Sequence, residues 1–296
     1  MPELPDVEIY VERLRALFAG EALGGVRLAS PFVLRSVEPP PASLHGRRLV
    51  QVRRLGKRIV LGFEEELFAV IHLMIAGRLR LRAPRAAIPK GNGLAAFDFP
   101  RATLLLTEAG SKRRASLHVV RGEAALGELD RGGLEVLDCT LEAFRARMTQ
   151  ENHTLKRALT DPRILSGIGN AYSDEILLEA RLSPFKQTRS LDDAEMLRLY
   201  TACRDVLAAW TARLREETGE GFPEKVTAFR EGMAVHGRYR RPCPRCGEPV
   251  QRIVYADNEC NYCARCQTAG RLLADRALSR LLKSNWPRTL EELERA

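Results

Sequence analysis

Cysteine spacing marks one site that could bind a metal. Five of the seven cysteines fall between residues 243 and 266, a clustering that favours metal binding over disulfides in a chain without an export signal. They include two CxxC pairs, Cys243–Cys246 and Cys263–Cys266, separated by sixteen residues. Four thiolates complete the tetrahedral coordination of zinc and leave no open position for catalysis. The sequence therefore predicts one structural zinc ion bound by these four cysteines.

Cys260 leaves the choice of ligands open, because Cys260 and Cys263 form an overlapping CxxC pair. A turn at Gly247 and the apolar run at 253–255 favour a hairpin between the two outer pairs. We interpret Cys260 as a non-ligand thiol near the tip of that hairpin.

The N-terminus, MPELPDVE, is a second candidate for chemistry. The small residue Pro2 normally allows removal of the initiator Met, which leaves a secondary amine with a pKa near the α-amino range of about 7.7–8.0. The neutral form of such an amine attacks a carbonyl carbon to form a Schiff base. Glu3 stands beside it and could transfer protons. Taken alone, a Met-Pro start is more typical of an ordinary terminus.

Net charge indicates the class of partner. The chain has 296 residues and a formal net charge of +9, and arginine supplies 40 of its 47 basic side chains. Such a surplus favours a polyanionic partner, nucleic acid first. Arginines surround the cysteine pairs, among them Arg252, and a basic hairpin suits phosphate contacts.

The elements that must position these groups follow from periodicity. Residues 5–19 have helical spacing, and from about 26 to 120 short apolar or alternating runs broken by Pro and Gly predict a β-sandwich or barrel. Helical periodicity returns at about 141, after a candidate linker at 125–140. The predicted class is α+β multidomain: an N-terminal helix plus β-sandwich, then a helical domain with a zinc-binding β-hairpin.

Length and composition exclude several classes. The chain is too long for a disulfide mini-protein, and it has neither a collagen repeat nor a run of about 20 apolar residues that could cross a bilayer. The N-terminus lacks the layout of a signal peptide. We expect a cytoplasmic, nucleoid-associated monomer with no membrane partner.

Four blocks in order resemble one known family. They are MPELPDVE, Arg54-Leu-Gly-Lys57-Arg58, Leu155-Lys156 followed by GIGNAYSDEIL from Gly167, and VHGR at 235–238 before the zinc pairs. This chain resembles the formamidopyrimidine-DNA glycosylase and endonuclease VIII family of base-excision repair enzymes. The resemblance spans residues 2 to 267.

The resemblance implies a domain order. It implies a catalytic β-sandwich domain at 1–130, a helix–two-turns–helix DNA-binding domain at 141–220 and a zinc finger at 235–267. Residues 268–296 extend beyond the family pattern, and their apolar stripe predicts a C-terminal helix of unknown role.

The resemblance also implies catalytic roles. Pro2 would attack C1′ of the damaged nucleotide, expel the base and form an imine. Glu3 would transfer protons at the sugar, and Lys57 would act as an acid–base or phosphate-side group during strand cleavage.

Further residues would contact DNA. Asn170 is expected at the N-cap of a helix starting near Ala171, where exposed amides favour a phosphate. Lys156 would add charge to the same DNA backbone, and His72 matches a family position near DNA. Ile75 aligns with the residue that fills the gap left by the extruded nucleotide, and Met74 stands beside it. The alternatives are a core role for His72 and Ile75, and plain capping for Asn170.

Departures from the pattern leave the substrate open. The stretch 117–122 lacks the family's DPRRFG segment, and residues 90–97 lack its usual histidines. Asn258 stands where the hairpin normally carries an arginine that grips a phosphate, and Arg252 could substitute. These differences make 8-oxoguanine opposite cytosine less expected and keep endonuclease VIII-like, abasic and bulky lesions open.

We therefore predict a base-excision repair DNA glycosylase with abasic-site lyase activity, acting on damaged duplex or single-stranded DNA. The competing hypothesis from another class is a non-catalytic damaged-DNA-binding protein on the same fold.

Overall fold

The computed structural model describes residues 1–110, 112–224, 226–227, 229–255, 258–273, 288–289 and 291–292. The chain divides into two compact units. The first unit comprises Met1–Arg131 and Trp210–Ala228, and the second comprises Gly132–Ala209 and Phe229–Ala296. The end of the predicted 141–220 domain is thus grouped with the first unit.

The first unit contains helix α1, Leu4–Phe18, and two four-stranded antiparallel sheets. Its strands are β1 (Gly25–Leu28), β2 (Leu49–Leu55), β3 (Arg58–Phe63), β4 (Leu67–His72), β5 (Gly77–Arg82), β6 (Gly93–Asp98), β7 (Thr103–Glu108) and β8 (Ser116–Arg121). One sheet has the order β1-β6-β7-β5 and the other the order β2-β3-β4-β8. A short helix α2, Glu123–Gly127, follows β8 within the stretch predicted as a linker.

Alternation of side chains along the strands builds the core of this unit. Ile59, Ile71 and Leu117 of one sheet and Leu79 and Phe97 of the other are fully buried in one hydrophobic cluster. The apolar stripe of α1 packs in the same cluster, and burial of this stripe stabilises the helix. The predicted N-terminal helix and β-sandwich are confirmed.

The second unit holds helices and a hairpin. Its elements are α3 (Leu141–Thr149), α4 (Leu155–Thr160), α5 (Asn170–Glu179), α6 (Asp193–Thr218), β9 (Gln251–Tyr255), β10 (Asn258–Tyr262) and α7 (Ala264–Thr268). The residues of α6 from Trp210 onward belong to the first unit. Strands β9 and β10 pair antiparallel between the two CxxC pairs. The predicted hairpin and the α+β multidomain class are confirmed.

The start of α5 differs from the sequence expectation, and the predicted C-terminal helix is only partly covered by the structure. Gly169 rather than Asn170 is the N-cap of α5, because its extended backbone precedes a helix whose first residue is Asn170. The predicted C-terminal helix falls mostly on residues 274–287, which lie outside the described residues. None of the described helices combines the length and the apolar character needed to cross a membrane.

Candidate active site and metal centre

The N-terminal segment is buried within the first unit. Pro2 is buried, and Glu3 exposes only 2% of its surface. Glu3 is the N-cap of α1, and its amide donates to Asp6 Oδ2 at 2.9 Å in a reciprocal capping box. The helix dipole favours negative charge at this end, so both the fold and the local field hold the Glu3 carboxylate in place.

Charged groups converge on the terminal amine. Burial lowers the pKa of the Met1 α-amino group, and nearby Arg78 and Lys57 act in the same direction, whereas Glu3 and Asp6 oppose them. Removal from water disfavours the charged form of an amine. The surroundings of the N-terminus therefore favour the neutral form of the Met1 amine, and Glu3 and Lys57 both act on that amine.

Lys57 lies in a two-residue turn between β2 and β3. Leu55 pairs with Arg58 across this turn, and Gly56 has a positive φ of 59°, which glycine adopts without steric cost. Arg54 ties the turn to α1, because its Nε donates to Glu8 Oε2 at 3.2 Å and its Nη1 donates to the Gly56 carbonyl at 3.0 Å.

A tight loop after β4 presents Ile75. The Gly77 amide donates to the Leu73 carbonyl at 2.8 Å, and Met74 has a φ of 50°. A Cβ at Gly77 would overlap the Leu73 carbonyl oxygen, so only glycine fits there. Ile75 at the tip is 58% exposed, which contradicts a core role for this residue.

His72 ends β4 beside several cations. Burial lowers the pKa of His72 to about 4, and Arg58, Lys57, His118 and Arg131 each act in the same direction. The imidazole is therefore neutral near pH 7.

Lys156 is buried in the second unit rather than extended toward solvent. Its Nζ donates to Asp174 Oδ1 at 2.5 Å, to Ser173 Oγ at 2.8 Å and to the carbonyl of Asn170 at 2.8 Å. Only 4% of Lys156 is exposed. This corrects the expectation of a direct phosphate contact, because the ammonium is already neutralised by a buried carboxylate and saturated with acceptors.

Asp174 connects helix α5 to two distant segments. Its Oδ2 accepts from His236 Nδ1 at 2.8 Å and from the amide of Asn261 in β10 at 3.1 Å. Asn261 Oδ1 in turn accepts from the Gly237 amide at 2.6 Å. The first turn of α5, where half-buried Asn170 lies, is thus fixed to the cysteine hairpin.

Glu175 holds the segment before the hairpin. Its carboxylate accepts from the amides of Ala234, Val235 and His236 at 2.7–2.9 Å. Burial raises the pKa of Glu175, and the three amides oppose that rise because they stabilise the carboxylate.

The four predicted cysteines lie together as a candidate metal site. The Sγ atoms of Cys243, Cys246, Cys263 and Cys266 all lie within 4.8 Å of one another, and those of Cys246 and Cys263 are 3.4 Å apart. A tetrahedral zinc site with Zn–S of about 2.3 Å separates its sulfurs by about 3.8 Å. The donor set and its size therefore fit a metal ion.

Cys260 does not belong to this group of four. It pairs with Ile253 in the hairpin and is buried beside Tyr262 and Leu272. Burial raises the pKa of its thiol well above the ordinary value, and the carboxylate of Asp174 acts in the same direction. The interpretation of Cys260 as a non-ligand thiol is supported.

The hairpin surface is basic but partly compensated. The Arg252 guanidinium lies 4.5 Å from the ring centroid of Tyr239, and its Nη1 is 3.6 Å from Glu259 Oε2. The structure describes only the backbone of Asn258, which pairs with Tyr255 at the start of β10.

Sequence reasoning assigned no role to Asp174, Glu175, His236 or Arg78. The first three stand in the motif blocks that carry the family resemblance, and Arg78 follows the loop glycine directly. Glu175 and Asp174 contact the hairpin and the segment before it, and the partners in these contacts are 59 to 87 residues apart in the sequence. No local sequence pattern reveals contacts over such a separation.

Comparisons with known proteins agree with this architecture. Models of the formamidopyrimidine-DNA glycosylase N-terminal domain and of its H2TH domain match residues 1–114 and 135–217. The formamidopyrimidine-DNA glycosylase of Thermus thermophilus is 34% identical over 282 residues, covering 91% of this chain and 100% of that relative. The enzyme of Heliobacterium modesticaldum is 34% identical over 279 residues, covering 90% and 100%.

Solved structures show the same fold. The crystal structure of the MutM (Fpg) protein from Thermus thermophilus is 35% identical, with a TM-score of 0.76 over 90% of this chain and 98% of that one. Lactococcus lactis Fpg in complex with abasic-site DNA is 21% identical, with a TM-score of 0.78 over 90% and 99%. At that identity the likeness concerns the fold alone.

The sandwich, the helices and the four-cysteine hairpin define a DNA glycosylase of base-excision repair. The chain belongs to the formamidopyrimidine-DNA glycosylase family. The comparisons support a glycosylase with abasic-site lyase activity, and a non-catalytic damage-binding protein is not favoured.

Proposed function

We propose that Pro2, once Met1 is removed, is the nucleophile of this enzyme, with Glu3 and Lys57 as its partners. The observation that carries this proposal is the convergence at the N-terminus. Burial there lowers the pKa of the Met1 amine, one residue from the buried Pro2, and Glu3 is fixed beside Pro2 as the cap of α1. Lys57 and Arg78 lie close enough to act on the same amine.

The chemistry follows from these groups. The neutral amine attacks C1′, the C1′–N bond to the damaged base breaks as the base leaves with the proton that the amine gives up, and the sugar ring opens to an iminium between Pro2 and C1′. Glu3 moves the proton that ring opening requires, and removal of a C2′ proton then expels the 3′-phosphate by elimination. Lys57 supplies positive charge or a proton on the phosphate side of this step. Hydrolysis of the imine releases the enzyme.

DNA is the proposed partner. Solved relatives include Lactococcus lactis Fpg bound to abasic-site DNA and MutM bound to DNA containing carbocyclic 8-oxo-G. Exposed Ile75 is suited to enter the base stack when a nucleotide is extruded, with Met74 shaping the loop behind it. Asn170 remains the proposed phosphate contact, and His72 remains proposed to lie near the DNA. We keep the substrate at the level of damaged bases and abasic sites in DNA.

Zinc is the proposed metal, held by Cys243, Cys246, Cys263 and Cys266. Zinc would fix the hairpin that carries Arg252 and Asn258 toward DNA, and Lys156 would act indirectly by holding the first turn of α5 through Asp174. The ion has a structural role because four thiolates fill its coordination sphere. We further propose a monomer that acts on nucleoid DNA in the cytoplasm.

Borohydride trapping tests the proposal. Borohydride reduces an imine to a stable amine, so the wild-type chain should become covalently linked to DNA that contains an abasic site. Pro2→Ala should sharply lower the yield of adduct, because loss of the pyrrolidine ring removes the constraint that directs the nitrogen at C1′, whereas Pro100→Ala, in the exposed turn after β6, should trap normally. Mass spectrometry must first show that Met1 has been removed. Absence of an adduct with correctly processed, metal-loaded wild type would overturn the assignment.

A further inference from the structure

One face of the sheet β2-β3-β4-β8 carries a set of basic side chains that the proposed mechanism does not use. Arg58 on β3 pairs with His72 on β4. His118 on β8 pairs with Val70, which stands two residues before His72 on β4 and so points to the same side of the sheet. Every second side chain along a strand points to the same face of the sheet, and directly paired residues on neighbouring strands share that face. The side chains between them, such as Ile59, point into the sandwich core. Arg58, His72 and His118 are therefore neighbours on the outer face.

Two polar atoms of this group are buried without a hydrogen bond. Among the described residues, neither Arg58 Nε nor His118 Nδ1 has a hydrogen-bond partner. Buried polar groups are nearly always satisfied in folded proteins, and an exception calls for a missing acceptor or donor. Both atoms lie on the same face but are enclosed by protein, so an anion would meet the half-buried guanidinium of Arg58 from outside rather than these two atoms.

Positive charge is concentrated around them. The strongest electrostatic neighbours of Arg58, His72 and His118 include Lys57, Arg131 and Arg35, with Asp130 as the carboxylate that acts on Arg58. Burial and these like charges together lower the pKa of Arg58 and of both histidines. Repulsion of this kind is relieved when an anion binds.

Arg53, on the same face, differs from Arg58 in having a carboxylate partner for its Nη2, although its Nε is also buried without a hydrogen bond to any residue that the structure describes. It lies on β2 opposite Val60, its Nη2 donates to Glu123 Oε1 at 2.7 Å, and its guanidinium lies 6.0 Å from the ring centroid of Phe68. The face therefore contains one arginine, Arg53, that is paired with a carboxylate, and a cluster around Arg58 in which positive charge exceeds negative charge.

We propose that Arg58, His118 and Arg131 form a binding site for a backbone phosphate of nucleic acid, next to Lys57 and His72 on the same face. The site rests on the proposed function, because it extends the DNA contact beyond the reacting nucleotide. A duplex backbone fits better than a free anion, since the cations continue in a row from the Lys57 turn along the sheet. The row ends beyond His118, where Glu38 and Glu128 line an open cavity and would repel phosphate.

Salt-dependent binding tests the proposal. The probe is a fluorescent duplex with a tetrahydrofuran abasic-site analogue, titrated with the full-length, metal-loaded chain at several salt concentrations. Each lost phosphate contact should lower the slope of log K against log salt by about 1. We expect Arg58→Gln to weaken binding by about 5–10-fold at about 0.1 M salt and to reduce this slope. Arg131→Gln, on an exposed residue that does not threaten folding, should have an effect in the same direction.

Arg53→Gln is the matched control, and it should leave affinity and slope unchanged because Glu123 already neutralises Arg53. If Arg58→Gln and Arg131→Gln both behave like Arg53→Gln, the phosphate site is refuted. A loss of affinity with an unchanged slope also refutes it, because the effect would then be structural. Failure of the wild type to bind the duplex would instead overturn the proposed function.

Discussion

His72 should make the protein sensitive to acid. Its pKa is lowered from 6.5 to about 4, by burial first and then by the charge of Arg58. Below pH 6.5 the unfolded chain takes up a proton that the folded chain refuses until about pH 4, so this group removes stability as the pH falls between those values. A shift of about 2.5 units corresponds to at most about 3.4 kcal/mol, of which about 2 kcal/mol is lost by about pH 5.

Replacing the imidazole isolates this effect. His72→Gln keeps a polar side chain but cannot be protonated in this range, so its stability should fall less between about pH 7.5 and pH 5. Urea denaturation followed by circular dichroism at both pH values gives the free energies of unfolding. We expect the wild type to lose about 2 kcal/mol more than the variant over this interval. Equal losses in the two proteins would show that His72 is not held neutral by its surroundings.

Two further predictions concern the Ile75 loop and the cysteine centre. Gly77→Ala should destabilise the protein by about 1–3 kcal/mol in thermal or urea unfolding, because the new Cβ meets the Leu73 carbonyl. Gly127→Ala, with open space around it, should be neutral or slightly stabilising, and equal effects would contradict the clash. Metal analysis should find one zinc per chain in the wild type and in Cys203→Ser but less in Cys246→Ser, and a wild-type chain purified without metal under non-chelating conditions would contradict the zinc proposal.

Short sequence motifs predicted the parts of the molecule in which the type and spacing of a few residues determine the structure. Spacing of the CxxC pairs identified the four clustered cysteines. The two-residue turn at Gly56 that carries Lys57 was not predicted from the residues alone and became visible only in the structure. The alternative ligand Cys260 could not be excluded by spacing, because that choice depends on where the strand ends. Cys260 lies within β10 and is buried there, whereas Cys263 follows the strand.

Long-range pairing was outside the reach of sequence reasoning. Lys156 looks like a surface cation in its motif, and its burial becomes visible only when Asp174 is placed beside it by the packing of α4 on α5. The helix start differs by one residue for a similar reason. Backbone dihedral angles, not side-chain type, decide that Gly169 is the cap and Asn170 the first helical residue.

The bonds from Asp174 and Glu175 define how large a portable piece of this protein would be. A chimera that replaced only residues 243–266 would put a foreign residue at the place of Asn261, whose amide and side chain contact Asp174 and Gly237 outside the exchanged stretch. The exchangeable module instead begins at Ala234, because the amides of Ala234, Val235 and His236 need a glutamate like Glu175, and its recipient must offer an Asp-Glu pair in the middle of the receiving helix. Hybrid enzymes cut at that boundary should fold, and those cut at the first cysteine should not.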